Sequence, residues 1–199
     1  MEIEKFLENF RAKGFKPFYF DSPGKLKDFL LGEISGSTVG MGGSMTIQEL
    51  DIYSLLSRNN KVYSHSVSSD ADVMQNASLA ETYVLSANAL AETGEIINID
   101  GRGNRVAGSI FGANLKRVFY ICGTNKLAAD VEKGIWRAKN IAAPKNAQRL
   151  GRKTPCAVKA DKCYNCKSPE RICRVTAIIT NPLINVETFV LIVEGNYGF

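Results

Sequence analysis

Short apolar segments that end in glycine-containing turns recur along this 199-residue chain, and they constrain its fold more than any other feature. The segments 38–41, 96–99 and 117–122 each run directly into such a turn. Segments with helical periodicity separate them, as in residues 3–10, where apolar side chains occupy the i, i+3, i+4 and i+7 positions. Alternating strands and helices along the whole chain predict an α/β protein in which helices cover a sheet.

The other predicted elements follow the same two periodicities. The predicted helix 127–139 has an apolar stripe that includes Trp136, which is expected in the core. The further predicted strands are Lys16–Phe20, Lys61–Ser64, 82–86, 175–180 and 189–193. The further predicted helices are 1–13, 23–31, 45–57, 71–78 and a segment after Pro144, and 107–111 is predicted as a short helix or turn.

Composition predicts one domain over residues 1–199, because a chain of this length with 45% hydrophobic residues can bury one substantial core. No apolar run is long enough for a membrane span. The charged, amphipathic first ten residues lack the apolar stretch of a secretory signal, so a cytoplasmic location is expected. In such a reducing compartment, the five cysteines are expected as thiols or metal ligands rather than disulfides.

Positive charge is concentrated in residues 133–174, which contain twelve Lys or Arg residues but only Asp161 and Glu170 as acids. The tract has few interleaved aromatic residues, which argues against a nucleic-acid partner. It is interpreted as a solvated basic face or as a surface that meets an anionic ligand or acidic partner.

The turn after segment 38–41 is the first candidate binding element, and it contains Gly42, Gly43 and Ser44. A glycine turn between a strand and a helix presents backbone N–H groups to an anion, and the hydroxyls of Ser44 and Thr46 would add donors. The spacing matches neither a P-loop nor G-x-G-x-x-G. A tight turn that binds nothing is the alternative.

A second group of polar residues follows the predicted strands 82–86 and 96–99. Asn88, Asp100, Asn104 and Arg105 are predicted ligand-binding residues, and Arg105 is the best candidate to pair with a carboxylate or phosphate. Glu92 is the candidate catalytic base or nucleophile, or else a turn carboxylate that caps a backbone amide. Because these turns all follow strands, the two groups are expected to converge on one cleft.

The chain contains a single histidine, His65, so any Ser-His-Asp or Cys-His site would have to use it. A lone histidine is more commonly a surface or hydrogen-bonding residue than a catalyst. No triad can be assembled from this sequence.

Four cysteines, Cys156, Cys163, Cys166 and Cys173, form a C-x6-C-x2-C-x6-C pattern in the segment 156–173. The central C-x-x-C can hold one metal through two thiolates, and the outer pair could complete four ligands for zinc or an iron–sulfur cluster. The spacing matches neither the common zinc motifs nor the bacterial ferredoxin motif. Free thiols and a redox-active C-x-x-C pair are the alternatives.

Three blocks of this sequence resemble the LUD domain of lactate-utilization proteins. They are VGMGGSMTIQEL, the pair ALAETGEIINIDGRGNRVA and RVFYICGTNKL, and PCAVKADKCYNCKSPERICRVTAIITN. The resemblance spans the chain and implies a Rossmann-like layered α/β sheet of the ribose-phosphate isomerase and coenzyme A transferase (NagB/RpiA-like) group.

The resemblance and the candidate residues together lead to three alternative functions. The first is organic-acid utilization of the lactate type, in which the domain binds a small anionic ligand and works with iron–sulfur oxidoreductase subunits. The second is a stand-alone sugar-phosphate isomerase or acyl/CoA-transferase-like enzyme that uses Glu92. The third is an iron–sulfur or thiol redox protein that uses the four cysteines.

Overall fold

The computed structural model describes residues 2–199 and contains two β-sheets. Strands β1, β10, β7, β4, β2 and β3 form the main sheet in that order, and every neighbouring pair in it is parallel. A smaller sheet has the order β8, β5, β6 and β9. The strands are β1 Lys16–Phe20, β2 Thr38–Met41, β3 Lys61–Ser64, β4 Thr82–Leu85, β5 Ala89–Ala91, β6 Ile96–Asp100, β7 Arg117–Gly123, β8 Leu127–Ala128, β9 Val175–Ile179 and β10 Glu187–Val193.

The helices lie between these strands, as expected for an α/β chain. A 3₁₀ turn covers Thr124–Lys126, and a π-helical turn covers Ala138–Ala142. The helices are α1 Ile3–Ala12, α2 Pro23–Glu33, α3 Met45–Glu49, α4 Ile52–Leu56, α5 Val73–Ser78, α6 Asn104–Ile110, α7 Val131–Arg137, α8 Ala143–Arg149 and α9 Pro155–Lys159. No helix within residues 2–199 is long and apolar enough to cross a membrane.

Both faces of the main sheet are buried, because successive residues of its strands point to opposite sides. In β7, Phe119 and Ile121 belong to a core beneath α2, α3 and α4, whereas Val118 and Tyr120 belong to a second core beneath α1 and the small sheet. A third, smaller core lies between the small sheet and α7 and contains Ile97 and Ala138. Continuous apolar strands are typical of a parallel sheet covered on both faces. The predicted layered α/β fold is confirmed.

The strand order reverses between β2 and β4, which are neighbours in the main sheet. The chain leaves β2 towards the β3 edge, whereas it leaves β4 towards β7 and β10. The loops after β2 and β4 therefore diverge, and a crevice opens between them at the carboxyl ends of the strands. Open α/β sheets bind their ligands at such a reversal.

Several predicted elements differ from the structure in extent. The predicted helix 45–57 is two helices, because the backbone at Asp51 is left-handed, with φ at 52°. The predicted helix 127–139 begins only at Val131, after the short strand β8, and Asp130 caps it by accepting a hydrogen bond from the Lys133 amide. The expectation that Trp136 lies in the core is wrong, since its side chain is 57% exposed.

Candidate functional site

A cavity of about 560 Å³ lies at the carboxyl ends of the main-sheet strands, where the order reverses. The turns after β2, β3 and β4 and the 3₁₀ turn after β7 all contribute to it. The loop after β6 forms the facing wall. The sequence-predicted residues that line the cavity are Gly43, Ser44, Asn88, Asp100, Asn104 and Arg105.

Asp100 organises the loop that begins where β6 ends. One carboxylate oxygen accepts from the Gly101 amide at 2.7 Å, and the other accepts from the amides of Arg105 at 2.9 Å and Val106 at 3.2 Å. The last two amides belong to the first turn of α6. Gly103, which precedes the helix, has no side chain that could accept hydrogen bonds from them, so Asp100 caps the helix instead. The Asp100 side chain is buried. Its role is to hold the loop in shape.

Arg105 lies between this loop and the glycine turn after β2. Its guanidinium donates to the Ile99 carbonyl oxygen and lies 3.9 Å from the Asp100 carboxylate. A Cβ atom at Gly42 would lie 2.3 Å from the Arg105 Cγ atom, so the packing requires glycine at residue 42. Gly42 thus acts by allowing Arg105 to approach, and the predicted glycine turn and predicted arginine are in contact.

Lys126 is a member of the cavity wall that the sequence analysis missed. Its side chain is only 3% exposed, and its Nζ atom donates to Thr46 Oγ1 at 2.7 Å and to Ser86 Oγ at 2.8 Å. None of the ion pairs formed within residues 2–199 involves Lys126. Burial lowers the pKa of Lys126 to about 8. Thr46, a predicted ligand-binding residue, is buried and acts as a hydrogen-bond acceptor for this amine.

The cavity wall is strongly basic. Asp100 and Glu170 are the only acidic side chains in its lining, and among the described residues only Arg105 of its cationic side chains is paired with a carboxylate side chain. Low-dielectric walls lined by one sign of charge attract ions of the opposite sign. The cationic lining residues are Arg102, Arg105, Lys126, Arg149, Arg152, Arg171 and Arg174.

His65 and Asn88 complete the floor of the cavity. Burial, with a further contribution from Arg102, lowers the pKa of His65, which favours a neutral ring at pH 7. The Asn88 side-chain oxygen accepts from the Ile99 amide at 2.7 Å, while its backbone carbonyl accepts from Arg137 at 2.6 Å. Asn88 therefore joins the small sheet to α7 and lines the cavity at the same time.

The family model of the LUD domain matches residues 3–193 of this chain. The chain belongs to the LUD-domain family. A crystal structure of a DUF162 family protein from Deinococcus radiodurans is similar, with a TM-score of 0.55 and 13% sequence identity over 97% of this chain and 96% of that chain. At this identity the likeness establishes the fold alone. No curated protein matches the chain.

Glu92 of this LUD domain does not line the cavity. Strand β5 carries the chain away from the end of β4, and the Glu92 amide donates to the Ala128 carbonyl oxygen of β8 at 2.8 Å. The Glu92 carboxylate pairs with Lys5 of α1 at 2.7 Å. The structure thus separates Glu92 from the other predicted site residues, and its catalytic role stays a prediction.

Residues at the end of the cysteine-containing segment and directly after it form one wall of the LUD-domain cavity, namely Pro169, Glu170, Arg171, Ile172 and Arg174. The Arg174 amide donates to the Asp100 carbonyl oxygen at 2.9 Å. A Cβ atom at Gly101 would lie 2.9 Å from the Ile172 carbonyl oxygen, so glycine is needed where the two segments meet. The cysteine block and the glycine loop are separate features of the sequence, but the structure packs them together.

The four predicted metal ligands of the LUD domain, Cys156, Cys163, Cys166 and Cys173, are half-buried free thiols. Arg171 donates to the Cys173 sulfur at 3.4 Å, and this bond raises the pKa of Arg171, with smaller contributions from Cys166 and Cys163. Within residues 2–199, no three His, Cys, Asp or Glu side chains are grouped closely enough to hold a metal. The thiols do not fit a metal as they are arranged here, and the metal site stays a prediction.

Proposed function

We propose that the cavity binds a small organic anion and that this LUD domain acts in organic-acid utilization of the lactate type. The observation that carries the proposal is the excess of cationic side chains at the strand-order reversal. Carboxylate and phosphate groups pair with guanidinium groups through charge-assisted hydrogen bonds. Family membership supports the organic-acid role.

Iron–sulfur oxidoreductase subunits are the proposed partners, because a domain that only binds the acid needs a separate redox centre to oxidise it. The basic tract 133–174 supports an acidic partner surface, since several of its exposed cations are not part of the cavity lining, namely Lys133, Lys139 and Lys145. Partner binding, the cytoplasmic location and the single-domain organisation stay predictions.

Replacing Arg105 with alanine should weaken anion binding by about 1.5–3 kcal/mol, or roughly 10- to 150-fold, because a charge-assisted hydrogen bond is lost. Calorimetric titration with L-lactate and, separately, with inorganic phosphate measures the effect. Arg105→Lys keeps the charge but loses the planar fork, so it should bind more weakly than the wild type and more tightly than Arg105→Ala.

The matched control is Arg58→Ala, which removes the same charge from an exposed residue outside the cavity. Affinity of this control should equal that of the wild type. Equal weakening by both alanine variants would mean that net charge alone is responsible. Unchanged affinity in Arg105→Ala would remove Arg105 from the site.

A metal ion or iron–sulfur cluster at the four cysteines is a second proposal. It is favoured by the grouping of two of the cysteines around the Arg171 guanidinium, which donates to the Cys166 carbonyl oxygen at 3.0 Å and to the Cys173 sulfur at 3.4 Å. The Arg171 Nε atom is also buried without a hydrogen-bond partner among the described residues. A group bound there would require the segment to close around it.

Anaerobic purification followed by zinc, iron and sulfide analysis decides between the cysteine hypotheses. A bound metal should disappear in the double variant Cys163→Ser/Cys166→Ser and persist in Cys122→Ser, since Cys122 is buried in the core beneath α1 and the small sheet. If the anaerobically purified protein contains no metal and binds none on reconstitution, the four cysteines are free or redox-active thiols.

A further inference from the structure

The donors and acceptors around Lys126 determine how its amine can react. Thr46 Oγ1 donates its own proton to the Tyr197 carbonyl oxygen at 3.0 Å, and Ser86 Oγ donates to the Ala87 carbonyl oxygen at 3.4 Å. Each hydroxyl oxygen is therefore an acceptor for Lys126 Nζ. Two acceptors match the two N–H bonds of a neutral amine, whereas an ammonium group has a third N–H bond to satisfy.

The position of Lys126 makes this neutral form accessible at about pH 8 and above. Lys126 and Ser86 both line the cavity. Burial is the main cause of the lowered pKa of Lys126; Cys122 and Glu49 oppose the shift, whereas Arg137 and Arg105 add to it. A lysine that is desolvated and close to other cations is activated as a nucleophile. The neutral amine uses both N–H bonds on hydroxyls and keeps its lone pair free.

We propose that Lys126 is the nucleophile of an imine-forming site for carbonyl compounds that carry an anionic group. The inference rests on the proposed function, because the basic wall must hold the anionic group while the carbonyl carbon reaches Lys126. It deepens that function by naming the substrate class. Two classes of compound combine a carbonyl group with an anionic group in this way. The first is the 2-oxo acids, which are the oxidised forms of hydroxy acids, and the second is the open-chain sugar phosphates.

The chemical step is a condensation. The Lys126 nitrogen attacks the carbonyl carbon, a carbon–nitrogen bond forms, and the carbonyl oxygen leaves as water with the two protons of the amine. No oxidant or reductant is needed. Arg105, which packs against the glycine turn in the cavity wall, would hold the anionic group and favour attack by lowering electron density at the carbonyl.

Reductive trapping tests the proposal. The full chain is incubated with sodium cyanoborohydride and either pyruvate or ribose 5-phosphate, and the intact mass is measured. Hydride reduces the imine to a secondary amine, so the protein should gain the mass of the carbonyl compound less one oxygen atom. Peptide mapping should place the modification on Lys126, and labelling by only one of the two compounds would identify the source.

Lys126→Met should abolish the adduct, whereas Lys145→Met, the same change on an exposed lysine of α8, should leave it intact. Labelling should also accelerate as the pH rises through about 8, where the amine becomes neutral. Calorimetric titration of the same two compounds is carried out in parallel. It separates failure of this inference from failure of the proposed function.

Binding without an adduct on Lys126 would overturn the inference and leave the proposed function intact. The same holds for an adduct that forms equally in Lys126→Met, because surface lysines would then be responsible. Absence of both binding and adduct for each compound would overturn the two together. Mapping in the wild-type protein decides the matter even if the methionine variant does not fold.

Discussion

Replacing Asp100 with alanine should lower the free energy of unfolding by about 3–5 kcal/mol, the range observed when one partner of a buried charged network is removed. The substitution leaves the amides of Gly101, Arg105 and Val106 without their common acceptor. Each buried N–H group left unpaired costs about 1–3 kcal/mol, and water that enters the loop recovers part of this. Urea denaturation at pH 7 measures the loss.

Two variants sharpen the Asp100 experiment. Asp100→Asn keeps one acceptor oxygen but directs an NH₂ group at backbone donors, so its cost should lie between those of the wild type and Asp100→Ala. Asp28→Ala removes an exposed carboxylate from α2 and should change stability by less than about 0.5 kcal/mol. If Asp100→Ala costs no more than Asp28→Ala, the carboxylate does not organise the loop.

Replacing Lys126 with methionine should raise the free energy of unfolding by about 1–3 kcal/mol at pH 7. The pKa of Lys126 falls from 10.5 to about 8 on folding. Each pKa unit corresponds to about 1.36 kcal/mol, so keeping the buried amine charged costs about 3 kcal/mol. Loss of the hydrogen bonds to Thr46 and Ser86 offsets part of the gain, although both hydroxyls keep acceptors of their own.

The pH dependence of this gain has a definite sign. Because the folded-state pKa of Lys126 is depressed, the folded protein binds fewer protons than the unfolded chain between pH 8 and pH 10.5. Wild-type stability therefore gains a contribution that rises with pH across this window. The advantage of Lys126→Met should be largest below pH 8 and nearly absent at about pH 10.5. Chemical denaturation at pH 7 and pH 10 measures it, and an equal gain at both values would contradict a charge-based penalty.

Periodicity and turn residues were sufficient to predict the strands of the main sheet. Lys16–Phe20, Thr38–Met41 and Lys61–Ser64 occur with the predicted bounds because each is a short apolar run closed by a turn. The strands β5 and β8 were missed, since three- and two-residue strands show no alternation. Their existence depends on pairing with distant segments, such as Leu90 with Leu127.

The candidate site was predictable where its residues lie at strand ends or in the turns after them. Gly43 and Ser44 follow β2, whose end shares one edge with its parallel neighbours, and Asp100 ends β6 in the small sheet. Lys126 was not predicted from the sequence, because a lysine in a Gly-Thr-Asn-Lys turn resembles a surface residue. The residues that bond its amine in the folded protein, Thr46 and Ser86, are distant in sequence. Glu92 was expected at the cleft because the intervening strand β5, which turns the chain away, was not recognised.

The position of β10 in the main sheet affects how the protein is made. Strand β10 lies between β1 and β7, and its Phe189 is opposite Lys16 of β1 and Phe119 of β7. The rings of Phe189 and Phe119 stack with their centroids 4.3 Å apart. Strand β1 has no other strand partner in the described sheet. At a ribosomal rate of roughly 5–20 residues per second, the segment between β1 and β10 takes roughly 10–30 s to synthesise. Throughout that interval β1 has no neighbour to pair with, so the nascent chain must remain protected from aggregation until the late strand arrives.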